Sequence, residues 1–335
     1  MATRLMHVEV FRTLESFDRL AQPWGELLAH SSVATPFQRS EFQRAWWKHF
    51  GSGELCLLVV RRADALVGVV SLYVDDDAVL RWVGGDDIAD YLDVVSRAAD
   101  APEVRRAVLD WLSGADAPDW QRAHLVNIPE WSESALHWQK LAVERGWTAD
   151  AGLQDVCPQF ALPDNLDEYF ARLEGKQRRE IRRKLRRASA EGARAVFIDP
   201  GEDNPAVVDD FIALMQASSP EKAAFLSPQM QDAFRDILRA TQDAGMLGIC
   251  FLELEGRPMA GYVYFSMGLT VYLYNSGYDP GVHAALSPGW VLLAHLIERV
   301  IESGHRHFDF MRGDEGYKYR FGGEDERVLR LTISR

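Results

Sequence analysis

One pattern occurs twice in this chain and narrows what it can fold into. The helix-like segment SEFQRAWWKHF (Ser40–Phe50) precedes the apolar run ELCLLVVRR (Glu54–Arg62), a polar turn, ALVGVVSLYV (Ala65–Val74) and AVLRWVG (Ala78–Gly84). Far downstream QMQDAFRDILRATQDAG (Gln229–Gly245) precedes MLGICFLELEG (Met246–Gly256), a tight turn, RPMAGYVYFSM (Arg257–Met267) and TVYLYNSGYD (Thr270–Asp279). Both halves read helix, strand, hairpin strand, strand, because Val, Ile, Leu and aromatic residues alternate through the runs. Val67-Gly68 and Ala260-Gly261 fall at the same place in the second strand of each half. The expected fold class is α+β, with two tandem lobes, each a mixed, mostly antiparallel sheet flanked by helices, the second better formed. Two unrelated α+β layers would read similarly. The join falls near Pro158–Asn165, giving an N-terminal lobe over 1–160 and a C-terminal lobe over 161–335.

Charge is spread unevenly. The net charge is −13, yet the twelve residues Lys176–Arg187 (KQRREIRRKLRR) hold eight basic groups and one acid, leaving −20 on the remainder. An acidic body repels nucleic acid in general, so a local anion site is the expectation. The spacing predicts a helix over 176–190, with Ile181, Leu185 and Ala188 on one apolar stripe and arginines on the other faces. Arg182 and Arg183 stand on adjacent faces, each within a row of like charges that repel unless packing or anions compensate. The composition, 47% hydrophobic and 26% charged, supplies ample core. No run approaches the roughly 18 uncharged apolar residues of a membrane helix, so membrane insertion is not expected. Cys56, Cys157 and Cys250 are scattered and the start lacks an apolar leader. Both point to a reducing cytoplasm with neither disulfides nor a metal site.

Three segments offer chemistry. Ser287-Pro288-Gly289 opens a helix running to Gly304, with Ser287 as cap and Gly289 leaving room for a phosphate at the helix mouth. It follows the strand that carries Tyr274, Asn275, Ser276 and Tyr278. GDEGYKYRFGG (Gly313–Gly323) is a polar glycine-containing loop after the strand with Asp309. There Lys318 can stabilise an oxyanion or bind phosphate, Tyr317 can act as an acid or pack, and a buried Asp309 needs a partner such as Lys318 or Arg320. In GGDDIADYLDVV (Gly84–Val95), Asp90, Tyr91 and Asp93 can line an acceptor pocket, or the segment is a capped turn. Phe37, Phe42, Trp46, Trp47 and Phe50 read as core. The chain contains no GxSxG, Walker A, HExxH or GxGxxG motif, so serine hydrolase, nucleoside triphosphatase, zincin and dehydrogenase readings lack support.

The stretch Glu253–Gly323 resembles the acetyltransferase-like domain of the CelD (cellulose-biosynthesis) and FemAB-like proteins of the GNAT superfamily. The resemblance rests on the xPxAGxxxF strand at Pro258–Phe265, the GYDP turn at Gly277–Pro280, the SPG helix start and FDFxxGxxxYK at Phe308–Lys318. The basic helix and FQRSEFQRAWW near the N-terminus are similar to that group as well. The resemblance implies two GNAT-like lobes and acyl transfer to an amine, from acetyl-CoA or another acyl-CoA, or from aminoacyl-tRNA. By analogy Tyr317-Lys318 and Phe321-Gly322 match the aromatic–Lys and following Phe-Gly of the FemAB-like pattern. At Ala284–Gly289 the chain departs from the glycine-rich pyrophosphate loop of the superfamily, which counts against CoA. The helical arm of some FemAB-like enzymes is not evident, which counts against tRNA.

The expectation is therefore a cytoplasmic N-acyltransferase acting on a small-molecule amine or sugar-linked acceptor in cell-envelope or polysaccharide biosynthesis. Lys318, Tyr317 and Asp309 are the expected catalytic set. Tyr274, Asn275, Ser276, Ser287, Gly289, Arg182 and Arg183 are expected on the donor, and Asp90, Tyr91, Asp93 and Tyr278 on the acceptor. A tRNA-dependent ligase and a non-catalytic binding module are the alternatives.

Overall fold

The computed structural model describes residues 6–202, 206–281 and 283–335. The chain divides into two units, the first made of residues up to Val156 with Arg327–Arg335, the second of Cys157–Glu326.

The first unit begins with β1 (Met6–Phe11), α1 (Glu15–Leu28) and α2 (Ser40–Phe50). The hairpin β2 (Glu54–Arg62) and β3 (Ala65–Val74) leads to β4 (Val79–Trp82) and the short β5 (Val95–Ser96). Then come α3 (Ala101–Leu112), β6 (Arg122–Pro129), α4 (Ser134–Glu144) and β7 (Thr148–Ala161), in which the chain passes into the second unit. β1 to β4 pair antiparallel in sequence order, and β4 then pairs parallel with β6 through Val79↔Arg122 and Leu80↔Ala123. Phe37, Phe42 and Trp46 are buried, as their apolar spacing requires. Gly68 admits α3: a Cβ there would stand 2.4 Å from Val104 Cγ1.

The second unit continues with α5 (Leu166–Arg172), α6 (Gly175–Ala190), β8 (Arg194–Ile198), α7 (Ala206–Ser218), α8 (Pro220–Phe225) and α9 (Pro228–Asp243). β9 (Leu247–Leu254), β10 (Arg257–Met267) and β11 (Thr270–Tyr278) form a meander. α10 (Pro288–Glu302) crosses over to β12 (His307–Asp309), followed by α11 (Gly316–Arg320) and β13 (Glu324–Ser334). β8 to β11 are antiparallel in sequence order, and β11 pairs parallel with β12. Tyr262 and Tyr264 of β10 pack with α6 and α10 in one apolar cluster. On the alternate side Phe265 meets Tyr274, which stacks on Phe234 of α9, the two-residue period of a strand expressed as two layers. β13 pairs with β6 from Val328 to Ser334, so the chain's last strand belongs to the first unit. No described helix is long and apolar enough to cross a membrane.

Candidate active site

The parallel pairing of β11 with β12 lasts three residues, ending at Tyr272↔Asp309. β12 stops there, while β11 runs on to Tyr278 along β10, with Tyr274 bulged out of register between Leu273 and Asn275. β11 thus outruns its parallel partner, and its further edge meets Lys222 and Ser218. Asp309 is buried and accepts the Met311 N–H at 2.7 Å, which turns the chain at Met311, whose φ is +63°. Lys318 is 2% exposed, and its Nζ donates to the carbonyls of Met311, Arg312 and Gly313 at 2.9, 2.8 and 3.0 Å. Glu315 stands 2.9 Å away as its counter-charge. An ammonium has three donors, so Lys318 is spent on holding this turn. In this structure Lys318 positions the loop, and the sequence could not show the carbonyls that enclose it. Tyr317 is half-buried, edge-on to Phe310, and burial pushes its phenol well above the usual value. It stays protonated near neutrality and can donate a hydrogen bond but not take a proton.

Along β11 the ring of Tyr274 packs against Phe234 of α9 and Phe265 of β10. Asn275 is half-buried at the bulge. The Ser276 carbonyl and hydroxyl both accept from Lys222 Nζ of α8, the hydroxyl at 3.2 Å. Burial lowers the Lys222 pKa from its ordinary value, with the Glu315 charge acting in the opposite sense. Tyr278 is exposed, and its backbone N–H donates to Ser218 Oγ at 2.8 Å. Gly277 lets α7 close on the strand: a Cβ there would meet Met215 N at 2.5 Å and Leu214 C at 2.7 Å.

A cleft of about 570 Å³ lies at the start of α10. Lys176, Gln177, Arg179, Glu180, Arg183 and Lys184 line it from α6, with Trp290 from α10 and Arg320 from α11. Lys184 donates to Ser287 Oγ and stands 5.2 Å over the Trp290 ring, and Arg320 stands 5.7 Å over the same ring. Cations over an indole face are held by its quadrupole. Ser287 has φ +53° and its side chain caps no helix N–H, so the expected side-chain cap is replaced by the Lys184 contact. The Gly289 carbonyl accepts from Tyr262 Oη at 3.3 Å. Arg183 reaches the cleft, paired with Glu180 at 2.8 Å. The Arg183 hydrogen bonds hold the Glu180 carboxyl down at about 2, so it stays ionised against a surplus of cations. Arg182 points elsewhere, 4.7 Å over Phe170 and 3.6 Å from Asp167, because one residue turns the helix by about 100°. The helix mouth and the loop of Lys318 do meet within this unit, since Trp290 packs on Phe321 at 5.1 Å and on Arg320.

Residues 175–319 match the family model described as the acetyltransferase (GNAT) domain. The matched stretch lies wholly within the second unit. Three solved structures share the fold at low identity. FemX has a TM-score of 0.65 at 13% identity, over 97% of this chain and 96% of that one. L-PGS from Bacillus licheniformis has 0.62 at 12%, over 94% and 91%. The C-terminal domain of a putative lysylphosphatidylglycerol synthetase from Agrobacterium fabrum has 0.59 at 11%, over 95% and 93%. No curated protein matches the chain.

In the first unit the expected acceptor residues are largely enclosed. Tyr91 is fully buried, its ring 5.3 Å from Trp131 and 6.3 Å from Phe37. Asp93 is 2% exposed, with Oδ1 accepting the Val94 N–H, and burial pushes its carboxyl up. Asp90 is half-buried. The loop is laid on β6: Leu92 N–H donates to Asn127 O, and Asn127 Nδ2 donates to the carbonyls of Asp86 and Ala89 at 3.1 and 2.7 Å. Tyr91 and Asp93 are core, and the substrate contact expected of them is corrected. Within the second unit, sequence reasoning passed over Lys184, Lys222 and Trp290, and weighed Arg320 only as a partner for Asp309. Trp290 lies in the first turn of α10, a readable signal. Nothing near Lys222 marks it, since only the fold brings α8 to Ser276.

Proposed function

We propose that the chain is an N-acyltransferase whose donor is an acyl-CoA and whose acceptor is a small or sugar-linked amine. The observation that carries this reading is the cationic cleft beside Ser287 and Trp290, at the mouth of the crossover helix between two parallel strands. Phosphates suit Lys176, Arg179, Arg183 and Arg320, and the unpaired N–H groups at the start of α10 add a positive end. The indole of Trp290 offers a face to a ring system. From there an acyl group can lie along Leu273–Tyr278, where backbone N–H groups stabilise the developing oxyanion. Holding amine and carbonyl together supplies much of the rate. Cytoplasmic work on cell-envelope or polysaccharide precursors belongs to the same proposal.

A second reading, a ligase fed by aminoacyl-tRNA, is favoured by the density of cations on α6 and by the likeness to FemX and to a lysylphosphatidylglycerol synthetase. The test offers acetyl-CoA, longer CoA esters and charged tRNA with a panel of amines, following thiol release and amide formation. Transfer from a CoA ester supports the first reading, and transfer from charged tRNA alone replaces it with the second. Binding of a donor without transfer to any amine leaves a binding module and ends the enzymatic proposal. Binding of tRNA should weaken steeply with salt, by a slope near −0.7 to −0.9 per phosphate neutralised.

A further inference from the structure

The cleft at the start of α10 already holds an anion of its own. Five cations line it, Lys176, Arg179, Arg183, Lys184 and Arg320, with one carboxylate, Glu180, which leaves a net +4. Glu180 sits two-handed in the guanidinium fork of Arg183, Oε2 accepting from Nε at 3.0 Å and Oε1 from Nη2 at 2.8 Å. The same Oε1 stands 3.5 Å from Lys184 Nζ. A fork filled in this way is the geometry by which arginine grips a phosphate as well as a carboxylate. Among the described residues Lys176, Arg179 and Arg320 have no acidic partner.

The charge of the mouth comes from α6 because the segment before α10 has none to offer. Ala284–Gly289 carries no basic side chain, and Ser287, at φ +53°, caps no N–H. Lys184 reaches across instead, onto Ser287 Oγ and over the Trp290 ring, its side chain 18% exposed. Glu180 lies one helical turn before Arg183 and Lys184, within reach of both. On a solvated face this would be an ordinary helix pair, but here the pair stands inside the cationic cleft.

We propose that Glu180 is a resident counter-anion of this cleft, displaced by the phosphates of the donor, and that it sets how much negative charge a ligand must bring. The proposal rests on the reading of the cleft as the donor's phosphate site. Tethered one turn from Arg183 and Lys184, the Glu180 carboxylate competes at an effective concentration on the order of millimolar. A free monoanion brings the same single charge and gains nothing by the exchange. A phosphate monoester brings about −1.5 to −2 at neutral pH, and linked phosphates also meet the cations that lack a partner. Arg183 then turns its fork from Glu180 to phosphate oxygens. No proton has to move, since the Arg183 hydrogen bonds hold Glu180 ionised and its ordinary value of 4.5 keeps it ionised near neutrality once released. Glu180 thus weakens each phosphate ligand a little and keeps free carboxylates out, a selection by competition rather than by shape.

The experiment titrates coenzyme A and inorganic pyrophosphate by calorimetry into full-length wild type, Glu180→Gln and Glu191→Gln at fixed ionic strength. Glu191 is the C-terminal cap of the same helix, about 16 Å along its axis from Glu180 and beyond the Debye length. Its variant removes an equal charge without touching the cleft. Glu180→Gln should bind both probes about two- to fivefold more tightly, the worth of an exposed ion pair, whereas Glu191→Gln should bind them as wild type does. Acetate should compete with the probes in Glu180→Gln and not in wild type. A pair that served only the helix would bring no affinity when broken. Unchanged or weaker binding in Glu180→Gln, an equal gain in Glu191→Gln, or acetate competing alike in wild type and Glu180→Gln would overturn this proposal alone. Pyrophosphate showing the gain while coenzyme A binds none of the three proteins would remove acyl-CoA as donor and leave Glu180 guarding a phosphate site. Neither probe binding any of the three would overturn the cleft as a phosphate site, and this proposal with it.

Discussion

The two units are built on the same frame down to a single residue. In β2–β3 the ladder runs Arg62↔Ala65 and Arg61↔Leu66, skips Val67, and resumes at Val60↔Gly68. In β9–β10 it runs Leu254↔Arg257 and Glu253↔Pro258, skips Met259, and resumes at Leu252↔Ala260. The turn residues Ala63 and Glu255 hold φ of +53° and +51°. Both frames then end in a crossover to a parallel strand, β4 to β6 and β11 to β12. A bulge at one fixed place is a specified feature rather than an accident, and it supports duplication. It also shifts the sequence match by one, pairing Gly68 with Ala260 rather than Gly261. The frames differ after the last parallel pair. β11 continues for six residues and its edge meets Lys222, whereas β4 ends two residues on, at Trp82. The loop that follows β4 is then pinned to Asn127, with Tyr91 driven between Phe37 and Trp131. The same fold thus leaves the β11 edge to side chains of Lys222 and Ser218 in one unit and covers the end of β4 with its own loop in the other.

The contrast is tested most severely where helices press on strands. Gly277→Val puts a Cβ into the backbone of α7, which cannot move aside, and should cost about 3 kcal/mol or more of urea stability. Gly68→Val in the first unit meets side chains rather than backbone, Val104 at 2.4 Å and Val60 at 3.2 Å, and should cost about 1–3 kcal/mol. Equal costs would show that the two helices pack alike. The polar fastenings come next. Lys318→Met leaves three carbonyls, one buried and two partly so, without their donor and should cost about 2–3 kcal/mol, and Asn127→Ala, which frees two, about 1–2 kcal/mol. If Lys318→Met kept full stability and lost only turnover, Lys318 would return to the catalytic set.

Much of this frame was legible because it is local. Alternation marked the strands, and Ser-Pro-Gly with a terminal glycine marked α10, observed from Pro288 to Glu302. The apolar stripe Ile181, Leu185, Ala188 does face the core. What the sequence could not show was decided by distant residues. Lys318 looked reactive because a lysine in a glycine loop reads as exposed, while its three carbonyls appear only once the loop curls. Asp90, Tyr91 and Asp93 looked like a pocket because nothing local announces Trp131. The closing strand looked like part of the second lobe, and its pairing with β6 spans some two hundred residues. Lys222 was invisible for the same reason, since its partner Ser276 lies 54 residues on.

The smallest expected difference between the units is in their response to acid. Burial lowers the pKa of His305 in the second unit, whose ring nitrogens meet Ser266 and Ser303 at 2.8 and 2.9 Å. Burial likewise lowers His124 and His137 in the first, although Asp86, 3.7 Å from His124, acts the other way. A histidine whose folded pKa lies below the ordinary 6.5 binds fewer protons folded than unfolded over that interval. Its contribution is therefore complete above 6.5 and is lost as pH falls from 6.5 through the folded value. His305→Gln keeps a partner for Ser266 and removes the titration, so urea stability measured at about pH 7 and about pH 5.5 should fall less in the variant than in wild type. The double variant His124→Gln, His137→Gln should flatten the curve further, because two groups rather than one are removed. A wild-type stability that rises on acidification through this window would mean that these rings gain a proton on folding, and that the serine contacts of His305 stabilise the charged ring.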